Sequence, residues 1–209
     1  MNKIDVHVLH LPQENKQWAD ECDRSLQSEP VNIHHLDGVR GDLRQGRFTG
    51  YNQGTAPYVS FVDPDDIVYP GTFQKCLEVL ENNPQCCGVY TMSDIEFEDG
   101  RKQLNHPYRE WSPEVQYTNI LEVHQIAVMR RDLMLKCYED YYDEMPLTAY
   151  HETYSFMRLA MSSPWKAVDN VGYMWRKRIT GCHHTEGKNG LPPSVISLRH
   201  QFNQLYQIT

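Results

Sequence analysis

The sequence lacks the long apolar segments that would place it in a membrane. No window reaches the ~18 uninterrupted apolar residues that a helical bilayer span needs. The first residues, MNKIDVHVLHLPQENK, also lack the apolar run and the small-residue cleavage site of a signal peptide. We therefore expect a cytoplasmic protein without an integral membrane segment.

Paired cysteines and an excess of positive charge are missing too. The six cysteines are scattered without Cys-x-x-Cys spacing, so we expect free thiols in a reducing compartment. The formal charge of -8 at pH 7 argues against a polyanionic partner for the whole protein. Arg40, Arg44 and Arg47 do form a local basic cluster, which a solvated helix face explains equally well.

The length and the apolar content of the chain are sufficient for one folded core. The chain has 209 residues, of which 40% are apolar and 23% charged, as is usual for a soluble globular protein. The sequence shows no internal repeat or low-complexity segment. We expect a single domain, or one domain with a small appendage.

Strand and helix patterns alternate through the first half of the chain. Two strands are predicted in IDVHVLHL and VNIHHLDG, separated by a helix in QENKQWADECDRSLQ. This order predicts parallel pairing through a crossover helix. Two further helices are predicted in GDLRQGRFTGYNQGTA and in GTFQKCLEVLENNP, with Pro70 in the first turn of the second one, on either side of the strand YVSFV.

The second half of the chain predicts a hairpin, further helices and a last strand. Two strand-like runs lie in CCGVYTMSDIEFEDGRKQ, and Asp99-Gly100 is a hairpin signal. The segment LNHPYREWSPEV has no clear period and predicts a loop. The remaining predictions are a strand and short helix in HQIAVMRRDLMLKC, a helix in ETYSFMRLAMSS, a strand in WKAVDNVGYMWRKR and a terminal amphipathic helix in PPSVISLRHQFNQLYQI.

Three carboxylates, Asp63, Asp65 and Asp66, directly follow the predicted strand YVSFV. Like charges at this spacing repel one another unless a cation or strong donors offset them. Ligands of open α/β sheets bind outside the carboxyl ends of strands, and hard oxygen ligands suit Mg²⁺ or Mn²⁺. The alternative is an Asx-Pro turn whose carboxylates cap the next helix.

The neighbouring sequence favours the ligand-binding interpretation. The block GRFTGYNQGTAPYVSFVDPDDIVYPGTFQKCLEVLENNP resembles the central part of inverting GT-A glycosyltransferases of the family 2 type. Pro12 after the first strand, Asp37-Gly38 after the second, and the later segments AVMRRDLMLKC, HETYSFMRLA and WKAVDNVGYMWRKR match that family in order. The sequence departs from the family start, VSVIIPxYN, and has His151-Glu152 where the family has Glu-Asp.

This resemblance implies an α/β fold of the GT-A type, Rossmann-like, with a mixed and mostly parallel sheet flanked by helices. Residues 1–184 would form the catalytic domain, and residues 185–209 a C-terminal loop and helix packed on it. The implied activity is metal-dependent transfer, with inversion, from a nucleotide diphosphate sugar, and a UDP-sugar is the expected donor. The acceptor would be a glycan, a lipid-linked sugar or the hydroxymethylated bases of viral DNA, and the basic group Arg176-Lys177-Arg178 keeps DNA open.

The resemblance also assigns catalytic and metal-binding residues. Glu152 matches the catalytic base, and His151 is the competing base because its ordinary pKa suits proton transfer. Asp63 and Asp65 form the Asp-x-Asp motif. The expected metal, Mn²⁺ or Mg²⁺, would be held by Asp63, Asp65, His183 and His184, with Asp65 as the main protein ligand.

A second set of residues is expected to bind the donor. Asp37 would contact the base or ribose, and the planar guanidinium donors of two arginines suit phosphate oxygens. The set consists of Pro12, Asp37, Arg44, Arg47 and Asp63.

Two other functions stay open at this point. A sugar nucleotidyltransferase shares the architecture and the cation, but usually has a glycine-rich loop after the first strand, and HLPQENKQW has none. A noncatalytic protein that binds a nucleotide sugar or a glycan would also keep the fold.

Overall fold

The computed structural model describes residues 2–147, 150–178 and 190–208, and in these ranges it is an α/β fold. The strands are β1 (Ile4–His10), β2 (Asn32–Asp37), β3 (Tyr58–Val62), β4 (Ile67–Val68), β5 (Gly88–Glu96), β6 (Lys102–His106), β7 (Ala127–Arg130) and β8 (Trp165–Arg176). The helices are α1 (Lys16–Leu26), α2 (Leu43–Tyr51), α3 (Thr72–Asn82), α4 (Pro113–Thr118), α5 (Arg131–Tyr141), α6 (Tyr150–Ser162) and α7 (Pro193–Tyr206), with a 3-10 turn at Tyr142–Glu144.

The strands of the described ranges form one mixed sheet in the order β2-β1-β3-β7-β5-β8-β4, with β6 paired to β5. The pairs β1-β2, β1-β3 and β5-β8 are parallel, and the other pairs are antiparallel. The predicted parallel pairing of the first two strands is therefore confirmed. Because β1, β2 and β3 are parallel, their carboxyl ends meet at one edge of the sheet, where Asp37 lies opposite His10 in register.

Apolar side chains cover both faces of the sheet. Along β3 all five residues are buried, and alternate residues belong to different sides: Val59 and Phe61 to one core cluster, Tyr58 and Val62 to the other. Two-sided burial explains why YVSFV is a continuous apolar run rather than an alternating one. The first cluster includes Val195, Leu198 and Phe202 of α7, so the C-terminal helix packs on the same core as the sheet.

Two segments differ from their predictions. The run Gly88–Glu96 is one long strand instead of two, because its pairing with β8 shifts register around Met92 and then continues. The segment predicted as a loop contributes β6 up to His106 and then α4, whose first turn Ser112 caps through Val115 N–H. The predicted hairpin is confirmed, and Gly100 has the positive φ of 79° that its turn requires.

Helix α3 starts later than predicted. It begins at Thr72, so Pro70 precedes the helix, and its N-cap residue Gly71 has no side chain to cap it. Buried Glu29, in the connection between α1 and β2, accepts hydrogen bonds from Gly71 N–H and Phe73 N–H instead. The cap is supplied from a distant part of the chain.

The described ranges bear on two expectations from the sequence, one about membrane-spanning segments and one about disulfide bonds. No helix there combines the length and the apolar composition that a membrane crossing requires. The five cysteines of those ranges are buried and free, and Cys182 lies outside them.

Candidate active site

The carboxylate turn Asp63-Pro64-Asp65-Asp66 closes β3 at the carboxyl edge of the sheet. Asp66 N–H donates to the carbonyl of Asp63 at 3.1 Å, which folds the segment into a tight turn. The side chain of Asp63 is 32% exposed and that of Asp65 19%, whereas Asp66 is buried. Two of the three carboxylates are therefore accessible from solvent.

Asp66 anchors the turn to β8. Its carboxylate accepts from the Tyr173 hydroxyl at 2.6 Å and from Arg176 N–H at 2.7 Å. Burial raises the pKa of Asp66 well above its ordinary value, and the charges of Asp65 and Asp63 add to this. We therefore assign Asp66 a structural role in shaping the turn.

Asp63 is held by two donors from other elements. Arg47 of α2 donates to Oδ1 at 2.5 Å, and Gln125, just before β7, donates to Oδ2 at 2.8 Å. The guanidinium of Arg47 is completely buried and lies 3.7 Å above the ring of Phe61. These contacts fix the Asp63 carboxylate in one orientation.

Arg47 also joins Asp63 to Glu152 in the first turn of α6. Arg47 Nε donates to Glu152 Oε1 at 3.1 Å, and the Glu152 side chain is 15% exposed. Burial alone would lower the pKa of Arg47, but the negative charges of Asp63 and Glu152 outweigh it and raise that pKa. The structure thus brings together three predicted site residues, with a permanently charged arginine between two carboxylates.

The two predicted bases differ in their access to solvent. The His151 side chain is completely buried, and its Nδ1 lies 3.1 Å from the Glu152 carboxylate. Glu152 keeps part of its surface open at the same edge of the sheet. An acceptor hydroxyl can therefore approach Glu152 more readily than His151.

Asp65 forms an ion pair with Arg178, which follows β8. Burial raises the pKa of Asp65, the nearby charge of Asp63 raises it further, and Arg178 opposes both effects. Neighbouring Arg176 donates to the Asp65 carbonyl at 3.0 Å and to Glu96 at 3.2 Å. Both arginines of the basic group are thus engaged within the protein.

The other predicted donor-binding residues lie in different settings. Pro12 and Asp37 are exposed at the carboxyl ends of β1 and β2, on the edge that carries Asp63. Arg44 donates to the carbonyl of Tyr142 at 2.8 Å and stacks 4.2 Å over its ring, so its donors are directed at the end of α5. His183 and His184 lie outside the described residues.

Some site residues were not singled out from the sequence. Gln125 and Trp18, whose ring lies 5.3 Å from the Arg178 guanidinium, had no sequence signal. A signal for Tyr173 and Arg176 was present in the Tyr-x-x-Arg spacing of GYMWRKR, which matches the family pattern. These two residues hold the carboxylate turn, as their contacts with Asp66 show.

Comparison with known proteins identifies the family of the chain. The family model described as Glycosyl transferase family 2 matches residues 10–137, which run from the end of β1 through β2, β3, the carboxylate turn and most of α5. The chain belongs to this family. No curated protein sequence matches the chain.

Solved structures of this fold include TarS from S. aureus. A structure of TarS 1-349 aligns with a TM-score of 0.61 and 16% identity, over 83% of this chain and 60% of that one. The same protein in complex with UDP-GlcNAc aligns with a TM-score of 0.64 and 14% identity, over 97% of this chain and 66% of that one. This family 2 chain thus spans about two thirds or less of these TarS chains, and the likeness establishes its GT-A fold.

Proposed function

We propose that this protein transfers a sugar from a nucleotide diphosphate sugar to an acceptor hydroxyl, with inversion at the anomeric carbon. The observation that carries the proposal is the Asp63-Arg47-Glu152 arrangement at the carboxyl edge of the sheet, in a member of glycosyl transferase family 2. TarS structures in complex with UDP-GlcNAc and with UDP support a uridine nucleotide as the donor. We expect a UDP-sugar to be preferred.

In the proposed reaction Glu152 is the general base. Its carboxylate accepts the proton of the acceptor hydroxyl while that oxygen attacks the anomeric carbon. The bond from this carbon to the diphosphate oxygen breaks, and the nucleotide diphosphate leaves with the electron pair from the opposite side. Arg47 holds Glu152 Oε1, so the base keeps its orientation before the acceptor binds.

We further propose that Asp65 and Asp63 hold Mn²⁺ or Mg²⁺, with His183 and His184 as additional candidate ligands. The donor set fits because both aspartates offer partly exposed, hard oxygen ligands at one turn. Burial and then the charge of Asp63 raise the pKa of Asp65, and a cation bound there would offset both effects in competition with Arg178. When bound, such an ion neutralises the charge of the leaving diphosphate.

The contacts favour a glycan or a lipid-linked sugar as the acceptor over modified DNA. DNA binding depends on basic side chains that reach phosphates. Arg176 is paired with Glu21 and Glu96, and Arg178 with Asp65. These arginines would have to give up their internal partners before binding a phosphate backbone.

The donor and the metal can be tested together by calorimetry. We expect UDP to bind in the presence of Mn²⁺, and binding to weaken at least about tenfold, or ~1.4 kcal/mol, with a chelator or in Asp65→Ala. Asp37→Ala should also weaken it without loss of fold. Asp140→Ala, at an exposed position of α5, is the matched control and should bind UDP normally. Equal affinity with and without metal would refute the metal assignment.

The reaction class is tested with UDP-GlcNAc and Mn²⁺, by measuring release of UDP and the configuration of the product. Slow hydrolysis to UDP and free sugar is expected even without an acceptor. Affinity with no UDP release, over a range of glycan acceptors, would identify a noncatalytic binding protein. Pyrophosphate release from a nucleoside triphosphate and a sugar phosphate would identify a nucleotidyltransferase.

A further inference from the structure

A second group of ligand-type side chains lies at the carboxyl ends of β1 and β2, on the α1 side of the sheet. His10 ends β1, His35 lies near the end of β2, and Asp23 is in the last half of α1. One ligand atom of each residue lies within 4.8 Å of the others. Neither the proposed transferase chemistry nor its metal uses any of them.

The two imidazoles face each other in a way that requires a proton or a cation between them. His10 Nε2 lies 2.9 Å from His35 Nδ1, and His10 Nδ1 lies 2.9 Å from the Glu14 carboxylate. A carboxylate beside Nδ1 favours the proton there, which leaves the lone pair of Nε2 pointing into the group. The Glu14-His10 contact is therefore the orienting arrangement commonly found behind metal-binding histidines.

Asp23 of α1 is the third residue of this group. Its Oδ1 is inaccessible to solvent and lacks a hydrogen-bond partner within the described part of the chain, and it lies 3.8 Å from His35 Nδ1. The Asp23 side chain as a whole is 38% exposed, and a cation would satisfy the one oxygen that solvent does not reach. A carboxylate oxygen of Asp23 lies within 4.8 Å of a ring nitrogen of His10 and of His35.

We propose that His10, Asp23 and His35 bind a zinc ion, with Glu14 orienting His10 from behind. Two imidazoles and one carboxylate are a donor set of zinc, which binds nitrogen at about 2.0–2.1 Å and leaves a fourth position for water. Tetrahedral ligand atoms would then be separated by about 3.3 Å. Small side-chain rotations reach this spacing, because His10 and His35 are partly accessible.

Such an ion would connect three elements, since its ligands come from β1, α1 and β2. It would fix the edge of the sheet beside Asp37, which pairs with His10 in register. An ion that binds the folded chain and not the unfolded chain also stabilises the fold by mass action. The inference is independent of the proposed transferase activity.

Calorimetric titration of the metal-stripped full chain with zinc chloride tests the proposal. We expect a zinc site whose affinity falls at least about tenfold in His35→Ala and in His10→Ala, and about 10- to 100-fold in Glu14→Gln. His200→Ala, at an exposed position of α7, is the matched control and should bind zinc like the unaltered chain. Circular dichroism verifies the fold, and His35→Ala is the safest variant because that side chain is 47% exposed.

Cobalt substitution separates this site from a competing one. Cobalt in the proposed site should show visible bands of nitrogen and oxygen ligation, without the charge-transfer band of a thiolate, and His35→Ala should abolish them. A thiolate band would instead indicate ligands around Cys182 and refute the assignment. Zinc affinity unchanged in both His35→Ala and His10→Ala would refute it as well.

Discussion

Arg47 is the residue on which the arrangement of the candidate active site depends most. It is completely buried, and two carboxylates from distant parts of the chain share its charge. The sequence pattern predicted Asp63 at the end of a strand and Glu152 at the start of a helix, and both residues match the family pattern. It did not predict that Arg47 joins them, because sequence spacing carries no information on which helix covers which strand end.

The role of Glu152 can be tested by replacing it with Gln. Gln keeps the size and an oxygen that accepts from Arg47, but it cannot take a proton from the acceptor. A positioned base contributes roughly 10²- to 10⁴-fold. We therefore expect sugar transfer by Glu152→Gln to fall by a factor of that order, while UDP affinity measured by calorimetry changes little.

The matched variant for this test is His151→Asn. Its milder effect is expected because His151 is buried beneath Glu152 and has no access to an acceptor. If His151→Asn abolished turnover and Glu152→Gln remained active, the base would be the histidine.

Most elements were predictable because each amphipathic run carries its own pattern. Helix α1 buries Ala19, Cys22 and Leu26 at helical spacing, and in β1 the apolar residues Ile4, Val6 and Val8 alternate with Asp5 and His7. The start of α3 was predicted wrongly, since its cap comes from Glu29 in another connection. Local propensity favoured Pro70 in the first turn and contained no signal for a cap from a distant residue.

Glu29 should therefore contribute measurably to stability. Its two oxygens accept from Gly71 N–H at 2.6 Å and Phe73 N–H at 2.9 Å, at the positive end of α3. Loss of a helix cap costs about 0.5–2 kcal/mol, and a hydrogen bond to a charged group is worth about 1.5–3 kcal/mol. We expect Glu29→Ala to lower the free energy of unfolding in urea by about 2 kcal/mol.

Glu78→Ala provides the control for the Glu29 measurement, because Glu78 is exposed on the same helix. Its effect should stay within about 0.5 kcal/mol. Equal stabilities of the two variants would show that the Glu29 contacts add nothing to the fold.

For the whole molecule, the fold class followed from the order of elements and from the family resemblance. The position of β7 between β3 and β5 could not be predicted in this way, because this short strand is antiparallel to both of its neighbours. The hydrophobic pattern of the sequence also did not predict that polar side chains are buried under α2. His7 lies among the apolar residues of β1. Only the structure shows that its ring packs against two aromatic rings, with the ring centroids 4.8 Å apart for Tyr51 and 6.0 Å apart for Phe61.

His7 is held in this position by close packing against α2. A Cβ atom on Gly50 would lie 2.3 Å from His7 Cγ, so the helix can approach the ring only with glycine there. Burial lowers the pKa of His7 well below 6.5, and the charge of Arg47 lowers it further. Folding therefore keeps this imidazole neutral.

This burial predicts a loss of stability in mild acid. Below the unfolded pKa of 6.5 the unfolded chain binds a proton that the folded chain does not, so the free energy of unfolding falls as pH falls. At pH 5.5, one unit below that value, the loss from His7 alone is about 1.4 kcal/mol relative to neutral pH. Burial also lowers the pKa of His106, which adds a loss of the same sign.

Urea unfolding at about pH 7.5 and pH 5.5 measures this dependence on pH. We expect His7→Leu to lose less stability over the interval than the unaltered chain, by about 1.4 kcal/mol, whatever its stability at pH 7.5. Exposed His200 is the control, and His200→Ala should keep the full dependence. A pH dependence that is the same in His7→Leu would mean that His7 is not kept neutral by the fold, and that other groups titrate in this interval.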